Sequence, residues 1–210
     1  SFAAMLLFGL LSPLAGREAW LVLTVLLFVL GAWACEKAGR TVHLTAEPTD
    51  SPTGHALRAA LSGKDPRTPY EMAALFTLDR IGHNQCPGGI ADTLAGGCDV
   101  LCDRYYYSSL AYQGSLCDYE WVKHMNTACP EIRHPDLCVF LDLPPAESLA
   151  RVAKRGEARE IYEKEETLRL FRDTFFRVFR SLCDRVAIVD AAGTPEAVAE
   201  RVLAAVNEIL

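Results

Sequence analysis

An aspartate and an arginine stand side by side at 103 and 104, directly after the apolar run "DVLC". At the end of a buried strand, Asp103 can face a metal-bound nucleotide, and Arg104 can hold a phosphate through a bidentate fork. The plainer alternative is an ion pair at a strand end, a contact worth little. The next residues, "YYYSSLAYQG", crowd rings and hydroxyls into one turn of chain. Tyr105, Tyr106 and Tyr107 are not expected to be buried together on one face, so some of them should line a cleft or reach water. Upstream, "LFTLDR" sets Phe76 and Arg80 four residues apart, on one face of a helix. There the ring can stack on a planar base and the guanidinium can donate to its carbonyls. A core phenylalanine beside a solvated arginine is the competing account. "AKRGEAREIYE" gathers Lys154, Arg155 and Arg159 around a glycine. Such cations suit a mobile flap that closes over transferring phosphates, or merely a solvated helix end. "TAEPTD" carries Glu47 and Asp50 about a proline, a pair that can serve magnesium or shape a phosphate pocket, or form a turn.

These residues need a scaffold, and the chain after 39 supplies a regular one. "RTVHLTA" (40–46), "DVLC" (99–102), "PDLCVFLDL" (135–143) and "RVAIVD" (185–190) are rich in β-branched and apolar residues and are expected as strands. "EPTDSPTG" is punctuated by prolines and a glycine, as a loop is. "HALRAALSG" is a short helix stopped by Gly63. Thr68, Pro69 and Glu71 make a capping-box start for a helix through about residue 81. Further helices are expected over "DYEWVKHMNTAC", "PAESLARVAKRGE", "EKEETLRLFRDTFFRVFRSL" and "TPEAVAERVLAAVNEIL". Strands alternating with helices imply an α/β fold, a parallel sheet with helices on both faces. Ligands in such sheets bind at the carboxyl ends of the strands. "TAEPTD", "LCDRYYYSS" and "FLDLPP" all fall there.

Composition excludes some classes. The 210 residues carry a net charge of −6, with 50% apolar and 23% charged residues. That acidic balance argues against a nucleic-acid binder held by phosphate contacts, though not against a small anionic ligand. Eight cysteines include no C-x-x-C pair, a poor zinc pattern. Several sit inside apolar runs, so reduced thiols in a reducing compartment are expected. Residues 1–35 stand apart. Residues 19–35 carry no charge over 17 positions, near the lower limit for a membrane span. Three readings stand side by side: a buried strand near 5–11 with a helix from about 19 to 37, a membrane hairpin or anchor, or a start foreign to the domain. The expected organisation is therefore an atypical leader over 1–35 and one domain over 36–210, with the basic flap at about 151–164.

Taken together, "TAEPTDSPTG", "LFTLDR", "CDRYYYSSLAYQG", "PDLCVFLDLPP", "KRGEAREIYE" and "VDAAGTPEAV" resemble the thymidylate kinase family in the family's order, over roughly residues 39–206. The resemblance implies a three-layer P-loop kinase-like fold and transfer of the ATP γ-phosphate to dTMP, with Mg2+ as cofactor. Carried over residue by residue, it implies that Asp103 organises magnesium and the phosphates, with Glu47 as a second metal-side or substrate-side acid. Arg104 grips the dTMP phosphate, Phe76 stacks on thymine, and Arg80 bonds its carbonyl edge. Ser109 and Gln113 lie near base and sugar, and Tyr112 packs under the deoxyribose where a 2′-hydroxyl would clash; Tyr112 and "LFTLDR" together favour thymidine over nucleotides such as dUMP, by resemblance. Arg155 and Arg159 match basic lid residues. A cytoplasmic homodimer is implied, with no nucleic acid, and with a membrane involved only through 1–35. One departure is large: G-x-x-x-x-G-K-[ST], the cradle for ATP phosphates, occurs nowhere in the sequence. Counting back from Glu47 places it near 18–25, where this chain has "EAWLVLTV". "SPLAGRE" (12–18) occupies a strand–loop–helix slot with one glycine and an arginine for the lysine. A dTMP-binding pseudokinase or a membrane-tethered variant are the alternatives. A smaller departure is Ala46, where many members have arginine.

Overall fold

The computed structural model describes residues 3–7, 39–148 and 165–208. Five strands form one parallel sheet: β1 (Ala3–Leu7), β2 (Val42–Ala46), β3 (Asp99–Asp103), β4 (Leu137–Asp142) and β5 (Val186–Asp190), in the order β2-β3-β1-β4-β5. β1 lies at the centre, pairing with β3 through Ala3–Leu6 and with β4 through Ala4–Leu7. The described helices are α1 (Pro52–Leu61), α2 (Pro69–Gln85), α3 (Ile90–Ala95), α4 (Tyr106–Tyr112), α5 (Tyr119–Thr127), α6 (Glu165–Ser181) and α7 (Pro195–Asn207).

The sheet divides two cores because side chains alternate across a strand. On β4, Cys138 and Phe140 face one side, with Val100 and Cys102 of β3 beside them. There they meet Phe175, Val178 and Phe179 of α6 and the tyrosines of α4. Leu137, Val139 and Leu141 face the other side and pack on Val198, Val202 and Val206 of α7. That is a three-layer α/β arrangement, as the strand–helix alternation implied.

Several boundaries differ from the sequence reading, each for a local reason. α1 starts at Pro52, inside the stretch expected as loop, because Ser51 caps it by accepting from the Gly54 N–H and proline fits the first turn. The Thr68 capping box forms as expected, but α2 runs on to Gln85, one turn past 81. Its last turn is held by tertiary contacts, since His83 and Asn84 are buried there. α3 and α4 were not expected. Tyrosines and serines are indifferent helix formers, and α4 exists because its rings are buried. All three of Tyr105, Tyr106 and Tyr107 are buried, against expectation. Burial is possible because each hydroxyl finds a partner. The single Tyr105 hydroxyl hydrogen lies within reach of both Asn84 Oδ1 and the Arg133 carbonyl, while Tyr106 and Tyr107 each donate to Asp184. Tyr105 also turns its ring toward a cleft, so the second half of that expectation holds.

The seven described cysteines are all unpaired. Among the described residues, no helix is long and apolar enough to cross a membrane. The expected strand near 5–11 appears as β1, somewhat earlier. Residues 8–38, with both of the stretches weighed as a phosphate cradle and the apolar run 19–35, lie outside the described residues, as do Lys154, Arg155 and Arg159.

Candidate acceptor site at the carboxyl edge of the sheet

β3 ends at Asp103, and the chain then makes an abrupt turn. Arg104 takes φ +66°, a left-handed conformation that an arginine adopts only under constraint. The Cys102 thiol donates to the Arg104 carbonyl at 3.0 Å, and α4 begins two residues later. Adjacent to this turn, the backbone N–H of Glu47 donates to the Asp103 carbonyl at 3.0 Å. The loops leaving β2 and β3, singled out separately in the sequence, are thus bonded to each other. The third, after β4, stays apart: Asp142 is held by both ends of Arg172 at 2.6 Å and does not line the cleft.

Between the two joined loops and α2 lies a cavity of about 400 Å³. Its walls include Glu47, Phe76, Arg80, Arg104, Ser109, Tyr112 and Gln113, seven residues singled out from the sequence. Leu61, Leu116 and Phe171 complete its apolar rim. The size suits a mononucleotide-scale ligand. Tyr112 is propped from behind by edge-on contacts with Phe171 and Phe175 of α6, at 5.3 and 5.9 Å between centroids. Burial pushes its hydroxyl pKa up, so the ring presents a neutral surface.

Arg80 is buried, not solvated. Its Nε and Nη2 donate to Glu47 Oε2 at 2.9 and 2.6 Å. Nη2 also reaches Ser109 Oγ at 3.3 Å, and Nη1 donates to Asn126 Oδ1. Its guanidinium sits over the Tyr105 ring, 5.2 Å from the centroid. Glu47's other oxygen, Oε1, lies 3.1 Å from His83 Nδ1. Both carboxylate oxygens are therefore engaged, and Glu47 serves as the base that holds Arg80 within the cavity wall.

Asp103 is the opposite case. Its Oδ1 is buried without a hydrogen-bond partner among the described residues. Its cross-strand neighbour on β2 is Ala46, whose methyl offers no compensating charge. Burial raises its pKa to about 6, with Arg104 pulling the other way. Asp103 is not among the residues lining the cavity, whose wall begins with its neighbour Arg104. An orphaned carboxylate oxygen fits a divalent cation, which neutralises it without a proton. Magnesium needs only one or two protein carboxylates when substrate phosphates supply the rest. The described residues hold no cluster of three metal-ligating side chains.

Sequence reasoning missed the residues behind these walls. Asp79 is buried and accepts from the Thr49 N–H and hydroxyl and from Ser51 Oγ, at 2.8, 2.6 and 2.9 Å. It fastens the β2 loop to α2. His83, Asn84 and Asn126 are likewise buried and bonded. A signal existed: Phe76, Asp79, Arg80, His83 and Asn84 recur at three- and four-residue spacing, a polar stripe on one face of α2. Asp50, by contrast, is exposed and pairs with His55 at the surface.

Comparison with known proteins agrees with this geometry. The family profile described as Thymidylate kinase matches residues 29–202. The "Probable thymidylate kinase" of Pyrococcus horikoshii is 35% identical over 188 residues, 87% of this chain and 88% of that protein. The "Thymidylate kinase" of Solidesulfovibrio magneticus is 37% identical over 189 residues, 84% of this chain and 90% of its own. That of Xanthomonas oryzae pv. oryzae is 37% identical over 142 residues, 67% of this chain and 60% of that protein. With a family match over most of its length, and with the family's acceptor motifs gathered around one cavity on a parallel sheet, this chain belongs to the thymidylate kinase family of P-loop kinase-fold enzymes.

Proposed function

We propose that this chain binds dTMP in the cavity described above and receives the γ-phosphate of ATP there, giving dTDP and ADP. The observation that carries the reading is the convergence of Phe76, Arg80, Arg104 and Tyr112 on one cavity. In the transfer, an oxygen of the dTMP phosphate attacks the γ-phosphorus and the bond to the β–γ bridging oxygen breaks. Arg104 holds the acceptor phosphate through its fork, turned toward the cavity by its left-handed backbone. Phe76 and Arg80 take the base by stacking and by a hydrogen bond, Tyr112 closes the space beneath the sugar, and Ser109 and Gln113 flank base and sugar. Asp103 orients magnesium, which when bound supplies neutralisation of the phosphates. Arg155 and Arg159, in a lid over about 151–164, supply further positive charge. The kinase-like domain comprises residues 36–210 together with β1 (Ala3–Leu7), the central strand of its sheet and so part of the domain and not of a separate leader. By the family's pattern the chain acts as a cytoplasmic homodimer.

A second reading rests on a specific observation. The sequence has no G-x-x-x-x-G-K-[ST]. The nearest glycine-bearing candidate in the sequence, "SPLAGRE" (12–18), has one glycine and an arginine in place of the lysine. On this reading the chain binds dTMP and is poor at using ATP. Calorimetric titration of the full chain with dTMP and with ATP–magnesium, followed by a dTDP assay, separates the two. Binding of both with turnover supports the kinase. dTMP binding without ATP binding supports the impaired variant. Absence of dTMP binding overturns both.

A further inference from the structure

The arginine in the cavity wall is held by a chain of side chains that starts outside the cavity. Thr45 Oγ1 lies 2.7 Å from His83 Nε2, and His83 Nδ1 lies 3.1 Å from Glu47 Oε1. Glu47 Oε2 then accepts twice from Arg80. His83 and Glu47 are buried, and His83 is not among the residues that line the cavity.

Counting donors shows what this chain sets. A guanidinium carries five N–H groups. Nε gives one to Glu47, Nη2 gives one each to Glu47 and Ser109, and Nη1 gives one to Asn126. One N–H, on Nη1, has no partner among the described residues and is left for the cavity. Where it points depends on the plane of the guanidinium, and that plane rests on Glu47. Both Arg80 donors to Glu47 converge on a single oxygen, Oε2. A carboxylate gripped at one oxygen still turns about its last bond, a torsion that is broad and soft. The bond at Oε1 stops that turning, and His83 makes it.

We propose that His83 is a positioning residue for the base subsite: its Nδ1–H locks the Glu47 carboxylate, which in turn fixes the single free N–H of Arg80 for a pyrimidine carbonyl. The hydrogen on Nδ1 follows from donor and acceptor types. A carboxylate paired with a guanidinium only accepts, so Nδ1 carries a hydrogen, and Nε2 meets the Thr45 hydroxyl, which can donate or accept. This inference rests on the reading of the cavity as a dTMP site.

Two amide substitutions separate the two bonds. His83→Asn keeps a donor near the Nδ1 position, whereas His83→Gln reaches toward Thr45 and abandons Glu47. In calorimetric titration of the full chain with dTMP, His83→Asn is expected to bind within about threefold of wild type, and His83→Gln about tenfold more weakly. Melting curves check that both remain folded. Equal affinities, or the reverse order, in folded variants overturn the positioning role and leave the dTMP reading standing. A wild-type chain that does not bind dTMP overturns that reading itself. Where neither variant folds, the imidazole 15N shifts of the wild-type chain decide. A hydrogen on Nδ1 is expected at His83, and the neutral Nε2–H tautomer would end the proposal, because that ring has no hydrogen to give Glu47.

Discussion

At the scale of single residues, the site is a contrast between two acids. Glu47 is bonded at both oxygens, by Arg80 and His83, and Asp103 has an oxygen with no partner among the described residues. The sequence offered both as metal-side acids, because residue type and nearby proline carry no information on who occupies each lone pair. It was legible that Asp103 and Arg104 end a strand, and that Phe76 and Arg80 share a helix face. It was not legible that Arg80 is buried, since its partners lie 33 and 46 positions away. Asp103 also gives a pH prediction. Its pKa is raised in the fold to about 6 from an ordinary value near 3.8. A raised carboxyl pKa favours the folded state below the unfolded value, and that stability is lost as pH rises through about 4 to 6. Above pH 6 the buried, unneutralised carboxylate costs about 2–3 kcal/mol. Asp103→Asn should therefore raise the melting temperature at pH 7.5, with little effect at pH 4, while abolishing any phosphoryl transfer and leaving dTMP binding within about tenfold. Melting curves at the two pH values test this. An equal shift at both would show that ionisation of Asp103 is not the cause.

At the scale of elements, the β2 loop is the part whose conformation decides the cavity. It is clamped from α2 by Asp79, from α1 by Arg58 on the Pro48 and Thr49 carbonyls, and from β3 by the Glu47 N–H. Gly54 lets α1 come close enough for this. A Cβ there would stand 1.9 Å from the Thr49 carbonyl oxygen, which is backbone and has no rotamer to escape into. Gly54→Ala gains about 1 kcal/mol of helix propensity and loses more to the clash, so a net destabilisation of about 2–3 kcal/mol is expected. The shift falls on the loop that carries Glu47, so dTMP affinity should drop along with stability. Urea unfolding and titration of the same sample check both, and a variant as stable as wild type would sink the close-packed loop. The sequence showed the strands and the longer helices because β4 is buried along nearly its whole length, which reads as a continuous apolar run, while α6 buries Leu168, Phe175, Val178 and Phe179 at helical spacing. It missed α4, where tyrosine burial overrides propensity, and it gave the start of α1 to a loop because proline and glycine punctuate turns and helix starts alike.

At the scale of the whole molecule, the family match and the sheet do not coincide. The match begins at residue 29, while the central strand is β1 at Ala3–Leu7. β1 pairs through four residues with β3 and through four with β4. Without it those two strands stand about two strand spacings apart, roughly 9–10 Å, too far to bond. The backbone groups that β1 satisfies on both neighbours would be left unpaired, each at about 1–3 kcal/mol where no water reaches them. Total stability of such a domain is only about 5–15 kcal/mol, so a few such losses exceed it. The two cores would also lose the layer between them, since the packing of Phe140 and Val139 on opposite faces needs a continuous sheet. A chain shortened to residues 29–210 keeps every acceptor residue from Glu47 to Gln113, yet it is expected to show no cooperative melting and no dTMP binding. Near-ultraviolet circular dichroism during heating, with a dTMP titration alongside, makes the comparison with the full chain. A sharp transition and retained affinity in the shortened chain would mean that β3 and β4 close the sheet without β1, and that the first seven residues contribute nothing the fold requires.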